Sequence, residues 1–239
     1  TPGTVSRNSA TSLSLQNDSV AALVTDPPYY DAVPYADLSD YFYVWHRRAI
    51  GGDVQGTILS ETLTPKADEA VVNLATKLPD GAVKDEASYE RKMHAALEDA
   101  RRVLAPSGVS VVVFAHKSTA GWESILQSIV DAGWVVSASW PIDTERPGRM
   151  RANDSAALAS SVHIVCRPRE NPDGSLRNDS VGDWRDVLDE LPGRIRTWML
   201  RLKKEGVVGA DAIFACLGPA LEIFSRYARV EKASGDVVP

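Results

Sequence analysis

Three short runs, SVAALVTD (19–26), VSVVVFA (109–115) and WVVSASW (134–140), constrain this chain more than any other feature. Each is apolar and partly β-branched, the profile of a buried strand. Between the first two, Tyr89, Met93, Leu97, Ala100 and Leu104 recur at helical spacing from Glu86, and Pro106-Ser107-Gly108 is expected to end the helix. Between the second and third, Trp122, Ile125, Leu126, Ile129 and Val130 mark another helix, closed by Gly133. Such alternation builds a parallel sheet with helices on its faces. A fourth run, SSVHIVCRP (160–168), follows the third without an intervening helical period. Those two strands are expected to pair antiparallel as a long hairpin and give a mixed edge. The fold class is α/β, with 19–26 as a central parallel strand of a thin sheet.

The remaining segments surround this core. After the first run, YYDAVPYADLSDYFYVWHRRAIGG predicts a helix capped by Asp37 or Ser39, with Leu38, Tyr41, Phe42 and Trp45 on its apolar face and Gly51-Gly52 as its stop. Residues 53–85 read as a long turn-rich insertion with one short helix around Lys66–Lys77, and long ordered insertions more often carry function than not. Beyond Glu170, NPDGSLRNDSVGD reads as a linker. Residues 184–204 then predict a helix with Trp184, Val187, Leu188, Leu191, Ile195, Trp198 and Leu202 on one side, kinked or split at Pro192-Gly193. A last apolar helical stretch covers 210–228, so the division expected is a sheet domain over 1–170 and a linker with helical extension over 171–239.

Composition narrows the function classes. With 239 residues, 44% apolar and 24% charged, the chain buries an ordinary core. No run approaches the roughly 18 to 20 apolar residues of a membrane span, and TPGTVSRNSATS is no signal peptide, so a soluble cytoplasmic protein without membrane contact is expected. Cys166 and Cys216 stand far apart and build neither a disulfide framework nor a zinc site; the expectation is metal-free. A net charge of −6 excludes binding nucleic acid by bulk electrostatics and leaves only local basic patches. The opening at Thr1, with a strand after some twenty polar residues, reads as a chain cut from something longer or processed.

Asp26-Pro27-Pro28-Tyr29 follows directly on the first strand, at the carboxyl end where open α/β sheets place their ligands. A carboxylate and the Pro27 carbonyl both accept hydrogen bonds from an exocyclic NH2, the proline pair fixes the backbone, and the Tyr29 ring offers a stacking face to a planar base. Such a site holds an amine and not a phosphate. The tetrapeptide alone is equally a strand that ends in Asp-Pro.

Its surroundings decide the matter. Asp26-Pro-Pro-Tyr-Tyr-Asp-Ala-Val-Pro-Tyr-Ala-Asp-Leu-Ser-Asp-Tyr-Phe-Tyr-Val-Trp resembles the amino-methyltransferase motif of the large prokaryotic zinc-ribbon-containing adenine-specific DNA methylases. LPDGAVKDEASYE (78–90), the stretch 140–169 and CLGPALEIFSRY (216–227) resemble the same family. The resemblance implies a class I, Rossmann-like methyltransferase sheet that moves a methyl group from S-adenosylmethionine to the N6 amine of a flipped adenine in DNA. It also implies that Asp26 and the Pro27 carbonyl accept hydrogen bonds from the amine, that Pro28 completes the motif, and that Tyr29 stacks on the base. Asp at the first motif position is the adenine pattern; cytosine N4, RNA and protein-glutamine enzymes use near relatives.

The chain departs from that family in two ways. The Gly-rich loop that cradles the methionine part of the cofactor belongs upstream of the Asp-Pro-Pro-Tyr strand, and residues 1–18 hold nothing like it. The zinc-ribbon cysteines are missing too. Asp211 to Gly218 could replace the loop only in a permuted order, and a buried helix explains it more simply. The chain is therefore expected to be the carboxyl-terminal half of the enzyme, partnered by DNA and by its own upstream half. The alternative is a non-catalytic module that completes a sheet from another segment. The cut leaves a strand edge open to self-association. Tyr30, and Arg146, Arg149 and Arg151 in the hairpin loop, are candidates for nucleic-acid contact, the arginines being equally a solvated turn. Arg194, Arg196, Arg201, Lys203 and Lys204 around Trp198 read as the solvated face of a helix whose core residue is Trp198. His116 follows the second strand at the same sheet end as Asp26 and reads as incidental, while His46, His94 and His163 are scattered.

Overall fold

A computed structural model of the chain describes Gly3 and residues 8–50, 59–77, 81–143, 160–207 and 209–238. The chain divides into two compact units, one of Thr1–Pro27 with Lys92–Pro239 and one of Pro28–Arg91.

The larger unit is built on a four-stranded mixed sheet. Its strands are β1 (Val20–Thr25), β4 (Leu104–Phe114), β5 (Trp134–Asp143) and β6 (Ser160–Pro168), in the order β1-β4-β6-β5. β1 runs parallel to β4, while β6 is antiparallel to both β4 and β5. The expected hairpin is present, but its second strand lies inside the sheet and β5 forms the edge. Val162, Ile164 and Cys166 of β6 are at most 2% exposed, as its interior position requires, and Trp134 and Val136 of the edge strand β5 are buried as fully. The expected central strand, β1, is corrected to the opposite edge, where Val24 is 74% exposed. An apolar run does not distinguish a strand with two neighbours from one with a single neighbour.

The two crossover helices are α2 (Glu86–Val103) and α3 (Thr119–Asp131). Met93, Leu97, Ala100 and Val103 of α2, Trp122, Ile125 and Ile129 of α3, and Val112 and Phe114 of β4 are all buried, and Phe114 meets Trp122 edge to face with centroids 5.0 Å apart. Trp134 Nε1 donates to the Leu97 carbonyl at 3.1 Å and ties β5 to α2. Pro106-Ser107-Gly108 does not end α2; the helix passes straight into β4, and these residues lie within the strand. Val20 pairs with Leu104 but Ala22 with Val109, so the tripeptide occupies a large bulge in the β1–β4 ladder, where a proline without an N–H costs no ladder bond.

Residues 171–239 fold onto the same unit. Helix α4 (Trp184–Lys204) is continuous through Pro192, contrary to the expected split, because Pro192 and Gly193 are exposed and the freed carbonyl one turn earlier can turn to water. Val187, Trp198 and Leu202 form its buried side, whereas Leu188 is exposed. The last apolar stretch is two helices, α5 (Ala210–Ala215) and α6 (Leu217–Ser225), followed by β8 (Arg229–Glu231), which pairs parallel with β7 (Val181–Asp183). The Ser139 hydroxyl donates to the Ala215 carbonyl at 2.6 Å, and the Val136 N–H donates to Ser225 Oγ at 2.9 Å, so both helices are fixed to β5.

The smaller unit holds α1 (Tyr35–Ala49) and an antiparallel pair, β2 (Asn73–Lys77) and β3 (Val83–Lys84). β2 lies where a helix over Lys66–Lys77 is expected; the preceding residues are held irregular by ion pairs, Lys66 Nζ on Asp40 at 2.7 Å and Lys84 Nζ on Glu69 at 3.0 Å. Helix α1 begins at Tyr35, with Pro34 and not Asp37 or Ser39 before it, and the Glu69 carboxylate accepts its Ala36 N–H at 2.9 Å. The predicted apolar face is not core: Leu38, Tyr41, Phe42 and Trp45 are 56–68% exposed.

One substitution has opposite effects at two helix glycines. A Cβ at Gly218 would lie 2.2 Å from Ser139 Oγ, whereas one at Gly193 meets nothing within 4 Å. Gly218→Ala is expected to destabilise the chain by roughly 1–3 kcal/mol through overpacking. Gly193→Ala should stabilise it by about 0.5–1 kcal/mol. Thermal unfolding of the two variants checks both signs.

Candidate functional site

Asp26 leaves the sheet immediately beyond Thr25, the last residue of β1. It is exposed, and Pro27, Pro28 and Tyr29 are half-buried. The parallel pairing of β1 with β4 sets their carboxyl ends side by side, as the sequence alternation requires. The boundary between the units falls inside the motif: Asp26 and Pro27 belong to the sheet unit, Pro28 and Tyr29 to the smaller one.

Within the smaller unit the backbone after the motif is held tightly. The Pro28 carbonyl accepts the Tyr89 hydroxyl at 2.8 Å and the Tyr30 N–H at 3.2 Å. The Tyr29 carbonyl accepts the Ala32 N–H at 2.8 Å, and the Tyr30 carbonyl accepts the Val72 N–H at 3.0 Å. Tyr30 adopts φ +52°, a left-handed conformation that costs a non-glycine residue roughly 1–2 kcal/mol. The bonds on both sides of it and an edge-to-face contact of its ring with Tyr89, centroids 5.4 Å apart, maintain that turn.

At the neighbouring strand end the structure identifies a residue that sequence reasoning set aside. His116 is only 5% exposed. Its Nδ1 accepts the Ser118 N–H at 3.2 Å and lies 2.8 Å from the Ser118 hydroxyl, which itself accepts the Gly121 N–H and caps α3. The ring packs on Gly121, where a Cβ would approach Nδ1 to 2.4 Å, and stacks on Phe114 with centroids 6.3 Å apart. Trp122 Nε1 donates to the His116 carbonyl at 2.8 Å. The signal in the sequence was the spacing His116-x-Ser118-x-x-Gly121-Trp122, a capping serine two residues after a histidine with a glycine opposite the ring.

Other sequence candidates fall elsewhere. Arg146, Arg149 and Arg151 lie outside the described residues. Trp198 is buried, as expected, and Arg201 lies over the rings of Trp140 at 4.4 Å and Trp198 at 5.2 Å, a packing role in the sheet unit. Gly218, at the end of the segment weighed as a cofactor loop, serves the contact with Ser139. Among the described residues no group of three or more His, Cys, Asp or Glu is placed to hold a metal ion, and no helix is long and apolar enough to cross a membrane.

No protein-family model and no curated protein matches the chain. Among solved structures, PvuII DNA methyltransferase (cytosine-N4-specific) is similar to it, at 12% identity over 64% of this chain and 44% of that one, with a TM-score of 0.35. The chain thus spans less than half the length of that neighbour.

The tyrosines behind the motif have a pH signature. Burial, foremost, and the Glu86 carboxylate accepting its hydroxyl push Tyr30 up to about 12, and burial pushes Tyr89 up to about 12. A folded-state value above the ordinary 10.0 means that the folded protein holds these protons more tightly. Their contribution is complete below pH 10 and is lost as pH rises toward 12. Tyr89→Phe is expected to cost about 1 kcal/mol at neutral pH through the lost bond to Pro28, and to flatten the decline above pH 10. Urea unfolding across pH 7–12 measures both.

Proposed function

We propose that the chain is the base-binding, carboxyl-terminal half of an S-adenosylmethionine-dependent DNA methyltransferase acting on an exocyclic amine, adenine N6 by the Asp26 pattern. The observation that carries this reading is the position of Asp26-Pro27-Pro28-Tyr29 at the carboxyl end of β1, beside the parallel strand β4. A hydrogen-bond acceptor on an exposed side chain and a backbone carbonyl adjoin there, as an NH2 group requires.

The amine of adenine is a poor nucleophile because its lone pair is delocalised into the ring. In this reading Asp26 and the Pro27 carbonyl each accept one amine hydrogen, fix the nitrogen and favour its pyramidal form, while Tyr29 stacks on the extruded base. Tyr30, Arg146, Arg149 and Arg151 make the further DNA contacts, and residues 1–170 form the catalytic part with 171–239 as its helical extension. The described residues offer no glycine cradle for the methionine part of the cofactor. Cofactor binding is therefore assigned to the upstream half of a cytoplasmic polypeptide. The exposed edge at β1 is where that half, or a second copy of this chain, would pair. The same edge favours the second reading, a non-catalytic module that completes another segment's sheet.

Calorimetry separates the readings. The chain alone is expected to bind S-adenosylmethionine poorly or not at all, and a low-micromolar dissociation constant overturns the half-enzyme reading. Joined to its upstream part, it should methylate DNA, with the modified base identified as N6-methyladenine by mass spectrometry. In that protein Asp26→Ala should abolish transfer and spare cofactor binding, at a cost of roughly 3–4 kcal/mol of barrier by analogy with other preorganised polar groups. Turnover near that of the unaltered protein would make the tetrapeptide structural.

A further inference from the structure

Helix α1 turns its polar side inward and its apolar side outward. The Ala36 N–H donates to the Glu69 carboxylate at 2.9 Å, Asp40 accepts the Thr64 N–H at 2.9 Å and the Lys66 ammonium at 2.7 Å, and the Tyr43 hydroxyl donates to the Glu61 carbonyl at 3.2 Å. Residues 36, 40 and 43 recur at helical spacing and define the side attached to the smaller unit. Tyr35, Leu38, Tyr41, Phe42 and Trp45 fall within about 120° of the opposite side, and each is more than half exposed. Aromatic side chains of roughly 150–250 Å² each, with Leu38, leave on the order of 500 Å² of apolar surface on that side. A patch of this size on a monomer is commonly a binding site.

The charge around the stripe decides what covers it. The 28–91 unit holds eleven Asp and Glu against six Lys and Arg, so a partner bearing phosphates, nucleic acid or an anionic membrane, would be repelled. Along the helix, however, the signs separate. Asp37 lies in the first turn and Arg48 in the last, on the same flank of the stripe and roughly 16 Å apart along the axis. They cannot meet within one helix. Asp37 stands 3.8 Å from Lys66 Nζ, which Asp40 binds more closely, and the Arg48 guanidinium lies over the Trp45 ring at 5.5 Å, on the border of the stripe.

A second copy of the chain answers both features. In two α1 helices laid antiparallel about a two-fold axis, each flank faces its own counterpart, and Asp37 of either copy comes within side-chain reach of the partner's Arg48. The stripe is self-complementary in the same arrangement. An axis passing between Tyr41 and Phe42, whose rings meet edge to face with centroids 5.3 Å apart, sets Leu38 against the partner's Trp45 in both directions.

We propose that α1 is a homodimer interface in which two copies pack their Tyr35–Trp45 stripes antiparallel, with Asp37 paired to the partner's Arg48 at both ends. Two faces of that size bury about 1,000 Å², the lower bound of a specific interface, so association belongs in the micromolar range. The interface does not depend on the methyltransferase reading, and it differs from pairing at the β1 edge because it uses side chains of the smaller unit.

Sedimentation velocity of the chain across about 1–100 µM is expected to show a concentration-dependent equilibrium between monomer and dimer. Leu38→Glu or Trp45→Ala should weaken it about 30-fold or more, as loss of a central anchor does, while Val24→Glu on the β1 edge leaves it unchanged. The charge swap is the sharper test. Asp37→Arg and Arg48→Asp should each weaken association by about 3–10-fold, since the two-fold axis counts the pair twice, and the double variant should restore it. All these positions are exposed, and far-UV circular dichroism checks that each variant keeps its fold. A chain that stays monomeric throughout, a dimer that survives Leu38→Glu and Trp45→Ala, or one lost with Val24→Glu overturns the proposal. So does a double variant no stronger than the single ones. A monomeric chain that binds a DNA oligonucleotide or phosphatidylserine vesicles, and loses that binding in Trp45→Ala, assigns the stripe to that partner and overturns it as well.

Discussion

Everything that bears on function in this chain depends on one ladder, the parallel pairing of β1 with β4. Parallel strands need a crossover, and this one carries the whole smaller unit between its ends. Because the strands run in the same direction, their carboxyl ends lie at the same end of the sheet, with β4 continuing two residues past the partner of Thr25. In an antiparallel pair Asp26 and His116 would lie at opposite ends of the sheet. The bulge at Ala105–Gly108 shows how the ladder accommodates its sequence: the irregular residues fall near the amino end of β4, and the register is regular from Ala22 to Thr25, next to the site.

The sheet was legible because its information is local. Four apolar runs and two helical periods suffice to place four strands and α2 and α3, and the missing period between the third and fourth runs identifies the antiparallel pair. What periodicity cannot encode is neighbour order. β6 lies inside the sheet and β5 outside because helices α5 and α6 cover β5 through Ser139 and Val136, contacts between residues some eighty positions apart. The same limit explains β1, whose composition fits an interior strand although it has one neighbour.

The smaller unit was less legible because ion pairs shape it more than apolar spacing does. Glu69 accepts the Ala36 N–H with one oxygen and holds buried Lys84 with the other, so a single carboxylate serves as helix cap and counter-ion. Removing either partner would leave a buried charge uncompensated, which makes such pairs costly to break although their net contribution is small. No pattern of apolar residues announces a link between positions 69 and 84. Leu38, Tyr41, Phe42 and Trp45 form the expected apolar face of α1 yet stay exposed, since helical spacing reports amphipathicity and not what the apolar side meets.

The candidate site divides along the same line. Asp26-Pro27-Pro28-Tyr29 was readable because its chemistry is written in consecutive residues. His116 was not, because its importance comes from groups that mean little singly: a serine, a glycine and two aromatic rings. The exclusion of a side chain at Gly121 is informative, since any Cβ there would displace the imidazole. A glycine in the first turn of α3 lowers intrinsic helix propensity by about 1 kcal/mol relative to alanine. A helix whose cap, first turn and following tryptophan all contact one histidine has accepted that cost to fix a ring.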